Sequence, residues 1–196
     1  MIRHLVALVA AALLVAGTVD AKQRYFPPKT GGDRWSDFPS APYSRHLAAM
    51  DEPSLWTTDM RAETYRILWL RSFDPPMVFR LIILSDGSAI LVVKKTNGKG
   101  GFESGKIVLN KQMSIDRPET QELLKNLALA NFWSLPTLPP RDPSRFVGLD
   151  GAHWIVEGKK DRQYHVADRR RDYPDPITDW ALRVMKKSGE NLEPIY

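Results

Sequence analysis

The sequence predicts an α+β fold: an antiparallel sheet in the chain order ββββ-α-ββ-α, with two helices packed on one face. Three observations carry this reading. Short turn signals (Asp74-Pro75-Pro76, Ser85-Asp86-Gly87 and Asn97-Gly98) separate successive runs of β-formers, and parallel strands would need far longer crossovers. Two segments with helical periodicity each begin at an aspartate cap. A second pair of strand-like runs lies between them.

The strand elements begin near Glu63. Tyr65, Ile67 and Trp69 alternate with Arg66, Leu68 and Leu70, a two-residue period in β-forming side chains. Met77–Leu84 reads as the second strand, Ala89–Lys95 as the third and Lys106–Met113 as the fourth. Asp116 followed by Glu119 forms a capping box, and Leu123, Leu124, Leu127 and Ala128 give the helix one apolar stripe that should stop near Asn131. Pro136, Pro139, Pro140 and Pro143 fill an irregular loop. The last hairpin pairs His153–Gly158 with Tyr164–Arg169. Asp175-Pro176 then opens a helix whose apolar face carries Ile177, Trp180, Ala181 and Val184; Lys186 and Lys187 stand where the helix dipole favours cations, and Gly189 ends it.

Ahead of the sheet the chain divides into two pieces. Residues 1–21 combine a basic start at Arg3, an unbroken apolar run from Leu5 to Ala16 and small residues before a cut after Ala21. These are the parts of a secretory signal peptide, and the run is shorter than the ~20 residues that cross a bilayer. The mature chain is therefore expected to be exported, periplasmic or secreted, with no transmembrane span. Residues 22–60 carry five prolines, Gly31-Gly32 and balanced charges, and read as an extended or disordered proline-broken leader. Tyr25, Phe26, Trp35, Phe38 and Tyr43 are unusual for an inert linker. The remaining residues, 61–196, form a single α+β domain.

Composition removes several chemistries. The 196 residues include no cysteine, which excludes disulfides, thiol catalysis, iron–sulfur clusters and Cys-ligated zinc. A hydrophobic content of 43% with 26% charged residues is globular. The net charge of +5 survives loss of residues 1–21, because that segment holds one arginine and one aspartate. The excess lies in two regions, Lys94–Lys111 and Glu157–Arg171, without the interleaved aromatics that nucleic-acid binding wants. Gly100–Lys106 imitates a phosphate-binding loop, but Ile107 stands where Ser or Thr should hold magnesium, and a strand follows where a helix is needed. No nucleophile elbow, zinc-protease helix or EF-hand loop is present; no cofactor or metal is expected.

The His153–Arg169 hairpin holds the candidate site. If Glu157 opposes His165, then Trp154, Val156, Tyr164 and Val166 share a buried face, and His153, Glu157, His165 and Arg169 share a wet one. A one-residue slip inverts a strand, so burial should select this register over the alternative that groups Trp154 and Val156 with His165 and Ala167. The chosen register sets a carboxylate beside an imidazole, as in a general acid–base pair, and equally as in an ordinary cross-strand polar pair. His153 and Glu157 lie about 13 Å apart along the strand, too far to share a metal ion.

Leu149-Asp-Gly-Ala-His-Trp154, Glu157-Gly158 and Tyr164-His165-Val166 with Asp168-Arg169 resemble a family of small exported bacterial proteins of uncharacterised function. Tyr65-Arg66, Trp69-Leu70-Arg71-Ser-Phe73 and Phe132-Trp133-Ser-Leu-Pro136 are similar as well. The resemblance spans most of Glu63–Gly189; it implies export and the domain limits, and lends no catalytic residues. The leading functional expectation is a non-enzymatic binding or interaction module of the envelope, its partner another envelope protein or an anionic envelope component. The first alternative is a small hydrolase-like enzyme using Glu157 and His165, with Arg169 and His153 as binding residues. The second is a secreted inhibitor or accessory subunit that uses the aromatic leader as its contact segment.

Overall fold

The computed structural model describes residues 24–99, 102–140, 151–170 and 175–195. The signal-peptide reading of residues 1–21 therefore lies outside the described residues. Six strands form one antiparallel sheet: β1 (Thr64–Arg71), β2 (Met77–Ile83), β3 (Ala89–Thr96), β4 (Ile107–Ile115), β5 (Ala152–Lys160) and β6 (Gln163–Arg170), in the spatial order β4-β3-β2-β1-β5-β6. The expected α+β class and strand order along the chain are both present. Helices α2 (Arg117–Leu129) and α3 (Pro176–Lys186) start at Asp116 and Asp175, whose carboxylates accept from the Glu119 and Ile177 amides. Both helices pack on one face, over Tyr65, Ile67, Trp69, Phe79, Leu91, Trp154 and Val156. Gly158 belongs to this face; a Cβ there would stand 2.6 Å from the Phe132 ring, so only glycine lets the aromatic approach the strand.

The opposite face is covered too, and here the leader reading is corrected. Residues 24–60 are not an extended tether. A 3₁₀ turn (Gly32–Asp37) and a helix, α1 (Ser40–Ala49), lie against the sheet. Tyr25, Phe26, Phe38, Tyr43, Leu47 and Met50 form a second core with Leu68, Leu70, Val78, Ile155 and Val166. Phe26, Phe38 and Tyr43 meet edge to face, with centroids 5.1–6.4 Å apart. The prolines do not oppose this, because Pro39 caps α1 and Pro42 sits in its first turn, where no intrahelical N–H bond is lost. Of the six aromatics in residues 22–60, Trp35 and Trp56 stay exposed, and Tyr25, Phe26, Phe38 and Tyr43 are core rings.

Burial on both faces also corrects the hairpin register. The turn between β5 and β6 has two residues, Asp161-Arg162, with Asp161 at a φ of 52°, and it pairs Gly158 with His165 and Glu157 with Val166. Glu157 does not oppose His165. Trp154, Val156, His165, Ala167 and Arg169 take the α2/α3 face, while His153, Ile155, Glu157, Tyr164, Val166 and Asp168 take the α1 face. This is the side-chain grouping that the wet-face criterion disfavours. The criterion fails because neither face of the strand pair is wet.

Candidate functional site

The four residues singled out in the sequence separate into three environments. Glu157 is fully buried beneath the leader. It receives Arg66 Nε at 2.8 Å, Arg66 Nη2 at 2.5 Å and the Tyr164 hydroxyl at 2.8 Å. Burial pushes its carboxyl up, and Arg66 and Tyr164 oppose that shift. Arg66 is the cross-strand neighbour of both Glu157 and Arg80. Above it stands Glu52, presented by the left-handed Asp51 that ends α1. Glu52 lies 3.6 Å from Arg66, 2.9 Å from Arg80 and 3.0 Å from Lys94. Lys94 also donates to the Met50 and Asp51 carbonyls, so its charge meets the negative end of α1. These groups weld the leader to the sheet; they leave no open position for a substrate.

His165 lies on the other face, its ring centroid 5.0 Å from that of Phe132. Burial, and then the nearby Arg169, lower its proton affinity. A depressed histidine binds fewer protons folded than unfolded, so its stability contribution is present at neutral pH and is lost as pH falls below its unfolded value of about 6.5. We expect thermal melts of the full chain to weaken between neutral pH and pH ~5, with a shallower dependence in His165→Gln. Identical slopes for the two proteins would contradict this placement. Arg169 is equally internal. It pairs with Asp175 and donates to the Thr137, Asp168 and Pro136 carbonyls, which fills its guanidinium with intramolecular acceptors.

His153 is different. Its Nδ1 is 3.1 Å from Asp168 Oδ1 and 2.9 Å from the Tyr43 hydroxyl, and Tyr43 donates to Asp168 Oδ2 at 2.7 Å. Asp168 is buried, whereas the His153 side chain keeps 37% of its surface open. The arrangement with a proton on Nδ1 lets both donors serve the one carboxylate. It orients the ring and leaves Nε2 as the imidazole nitrogen for outside partners. Burial and then the Asp168 charge hold the Tyr43 phenol well above its ordinary range, so it remains a donor. His153 lines a cavity of about 220 Å³ at the end of the sheet with Pro42, Tyr43, Ser72, Gly151 and Arg170. Gly151 makes room for a cation there, since a Cβ would lie 3.0 Å from Arg170 Nη2.

A larger groove of about 740 Å³ runs past Tyr25, Phe26, Pro28, Lys29 and Trp35, where the Thr30 and Ser44 hydroxyls donate to the Pro27 and Ser40 carbonyls. Among the described residues no three His, Asp or Glu side chains come together as a metal site requires, and no helix is long and apolar enough to cross a membrane. No family model matches the chain, and a search of curated proteins finds no relative.

Sequence reasoning missed Tyr43, Asp168, Glu52 and Arg66. Asp168 was within the quoted hairpin motif, two residues from Val166 on the strand. Its pairing with His153 required the observed register, and Tyr43 required a folded leader.

Proposed function

We propose that this protein is an exported, non-enzymatic binding module of the bacterial envelope, and that its ligand is a small anionic group taken at the His153 cavity. The observation that carries the reading is the buried Asp168–Tyr43 pair holding a half-exposed imidazole beside Arg170. The Arg170 guanidinium suits a carboxylate or phosphate oxygen, and beside it the His153 Nε2, an acceptor while the proton is on Nδ1, takes a hydrogen bond from a protonated oxygen of the same group. The acid–base alternative built on Glu157 and His165 loses its support, because the two side chains leave opposite faces of the sheet. Export rests on the sequence pattern of residues 1–21.

The test is a titration of the mature chain with inorganic phosphate and, separately, acetate, followed through the backbone amide resonances of Gly151, residue 153 and Arg170, which line the cavity. Saturable shifts that spread to Arg170 and vanish in His153→Ala are expected for at least one anion, and a neutral sugar should give none. Shifts that do not saturate, or that persist in His153→Ala, would contradict the site. An intact N-terminus on protein recovered from the envelope, in place of one beginning at Lys22, would contradict export by cleavage.

A further inference from the structure

The two edges of the sheet are treated differently. On β6 the chain protects itself: the Asp168 amide donates to the Thr137 carbonyl at 2.7 Å, and Arg169 ties the Pro136 and Thr137 carbonyls to the same strand. On β4, among the described residues, the backbone hydrogen bonds run to the β3 side and none is made across the outer edge. β4 spans nine residues, Ile107–Ile115, with alternating partly buried and exposed positions and no proline. A long edge without proline is a template for another strand.

The side chains of β4 specify which strand. Read outward from Lys111, the strand matches itself in chemical type at Asn110 with Gln112, Leu109 with Met113 and Ile107 with Ile115, and departs from that match at Val108 with Ser114. An antiparallel partner of identical sequence, related by a two-fold axis at Lys111, would set amide against amide and apolar against apolar. Lys111 would meet its own copy, but each ammonium already holds Glu190 and donates to the Ser188 carbonyl at 2.9 Å, which removes most of the repulsion. The one irregularity is the extra β4 residue near Val108, where the pairing with β3 shifts between Lys95 and Thr96. Regular pairing is thus centred on Leu109–Met113. We infer that β4 is a homodimer edge, and that two copies of this chain join there into a continuous twelve-stranded antiparallel sheet.

Sedimentation equilibrium of the mature chain tests this together with two charge variants. Asn110→Lys/Gln112→Lys places lysines against lysines across the axis, and Asn110→Glu/Gln112→Glu does the same with carboxylates. Both positions are exposed, so melting temperatures should stay close to those of the monomeric wild type at dilution. The expected results are a concentration-dependent dimer for the wild type, at least a tenfold weaker association for each variant alone, and dimer recovered on mixing the two. A wild type that stays monomeric at its highest soluble concentration overturns the inference. So does a dimer that both variants leave intact, because its interface would lie elsewhere.

Discussion

A chain beginning at Arg61 should not fold cooperatively. Deleting residues 22–60 uncovers Leu68, Leu70, Val78, Ile155 and Val166, all at most 5% exposed in the intact protein. Each such side chain contributes about 1.5–3 kcal/mol when fully buried. Five together are worth on the order of 10 kcal/mol, which rivals the whole stability of an ordinary domain, about 5–15 kcal/mol. The deletion also removes Glu52 from above Arg66, Arg80 and Lys94. Circular dichroism of residues 61–196 should therefore show no sharp thermal transition, and adding residues 22–60 as a separate peptide should restore part of one. A cooperative melt for the fragment near that of the mature chain would mean that the second core contributes little.

The second large effect belongs to Glu52. Glu52 and Glu157 face Arg66, Arg80 and Lys94, and the buried group balances only with the α1 C-terminus beside Lys94. Glu52→Gln keeps the shape and removes the charge, leaving three cations against one carboxylate. Breaking a buried ion pair in this way costs about 3–5 kcal/mol, and we expect that loss in chemical denaturation of the variant. Lys94→Met added to Glu52→Gln should recover part of it, because the two residues share one interaction. Strictly additive losses would place the weight of the cluster on packing and not on charge.

Much of the architecture could be read from residues alone, for reasons that are local. Turn chemistry at Asp74-Pro75-Pro76 and Asn97-Gly98 and the aspartate caps at 116 and 175 act within a few residues, so the meander and both packed helices were legible. The leader departs from the expected tether because proline breaks a helix only in its interior, and Pro39 and Pro42 stand at the N-cap and in the first turn of α1. A helical signal was nevertheless available: Tyr43, His46, Leu47 and Met50 follow the i, i+3, i+4, i+7 spacing and are all buried. β1 carried a second unused signal. Its apolar residues fill both parities (Tyr65, Ile67 and Trp69, then Leu68 and Leu70), and a strand apolar on both sides belongs to a sheet covered on both sides. The hairpin register departs from the expected one for the same reason: Glu157 and Arg169 find buried partners in Arg66 and Asp175 on opposite faces, so polarity does not mark a wet face. The candidate site depends on contacts across 110 to 125 residues, between Tyr43 and both His153 and Asp168. No local pattern reports those.

The central claim is that residues 24–60 complete the fold and build one wall of the His153 site. Nuclear Overhauser contacts in the mature chain test it directly. The claim predicts cross-peaks from the Phe26, Phe38 and Tyr43 rings to the methyl groups of Leu68, Leu70, Ile155 and Val166, and from Tyr43 to the His153 ring, whose centroids lie 5.9 Å apart. Sharp, unshifted aromatic signals for residues 24–60 with none of these cross-peaks would contradict it, and the anion site would fall with it.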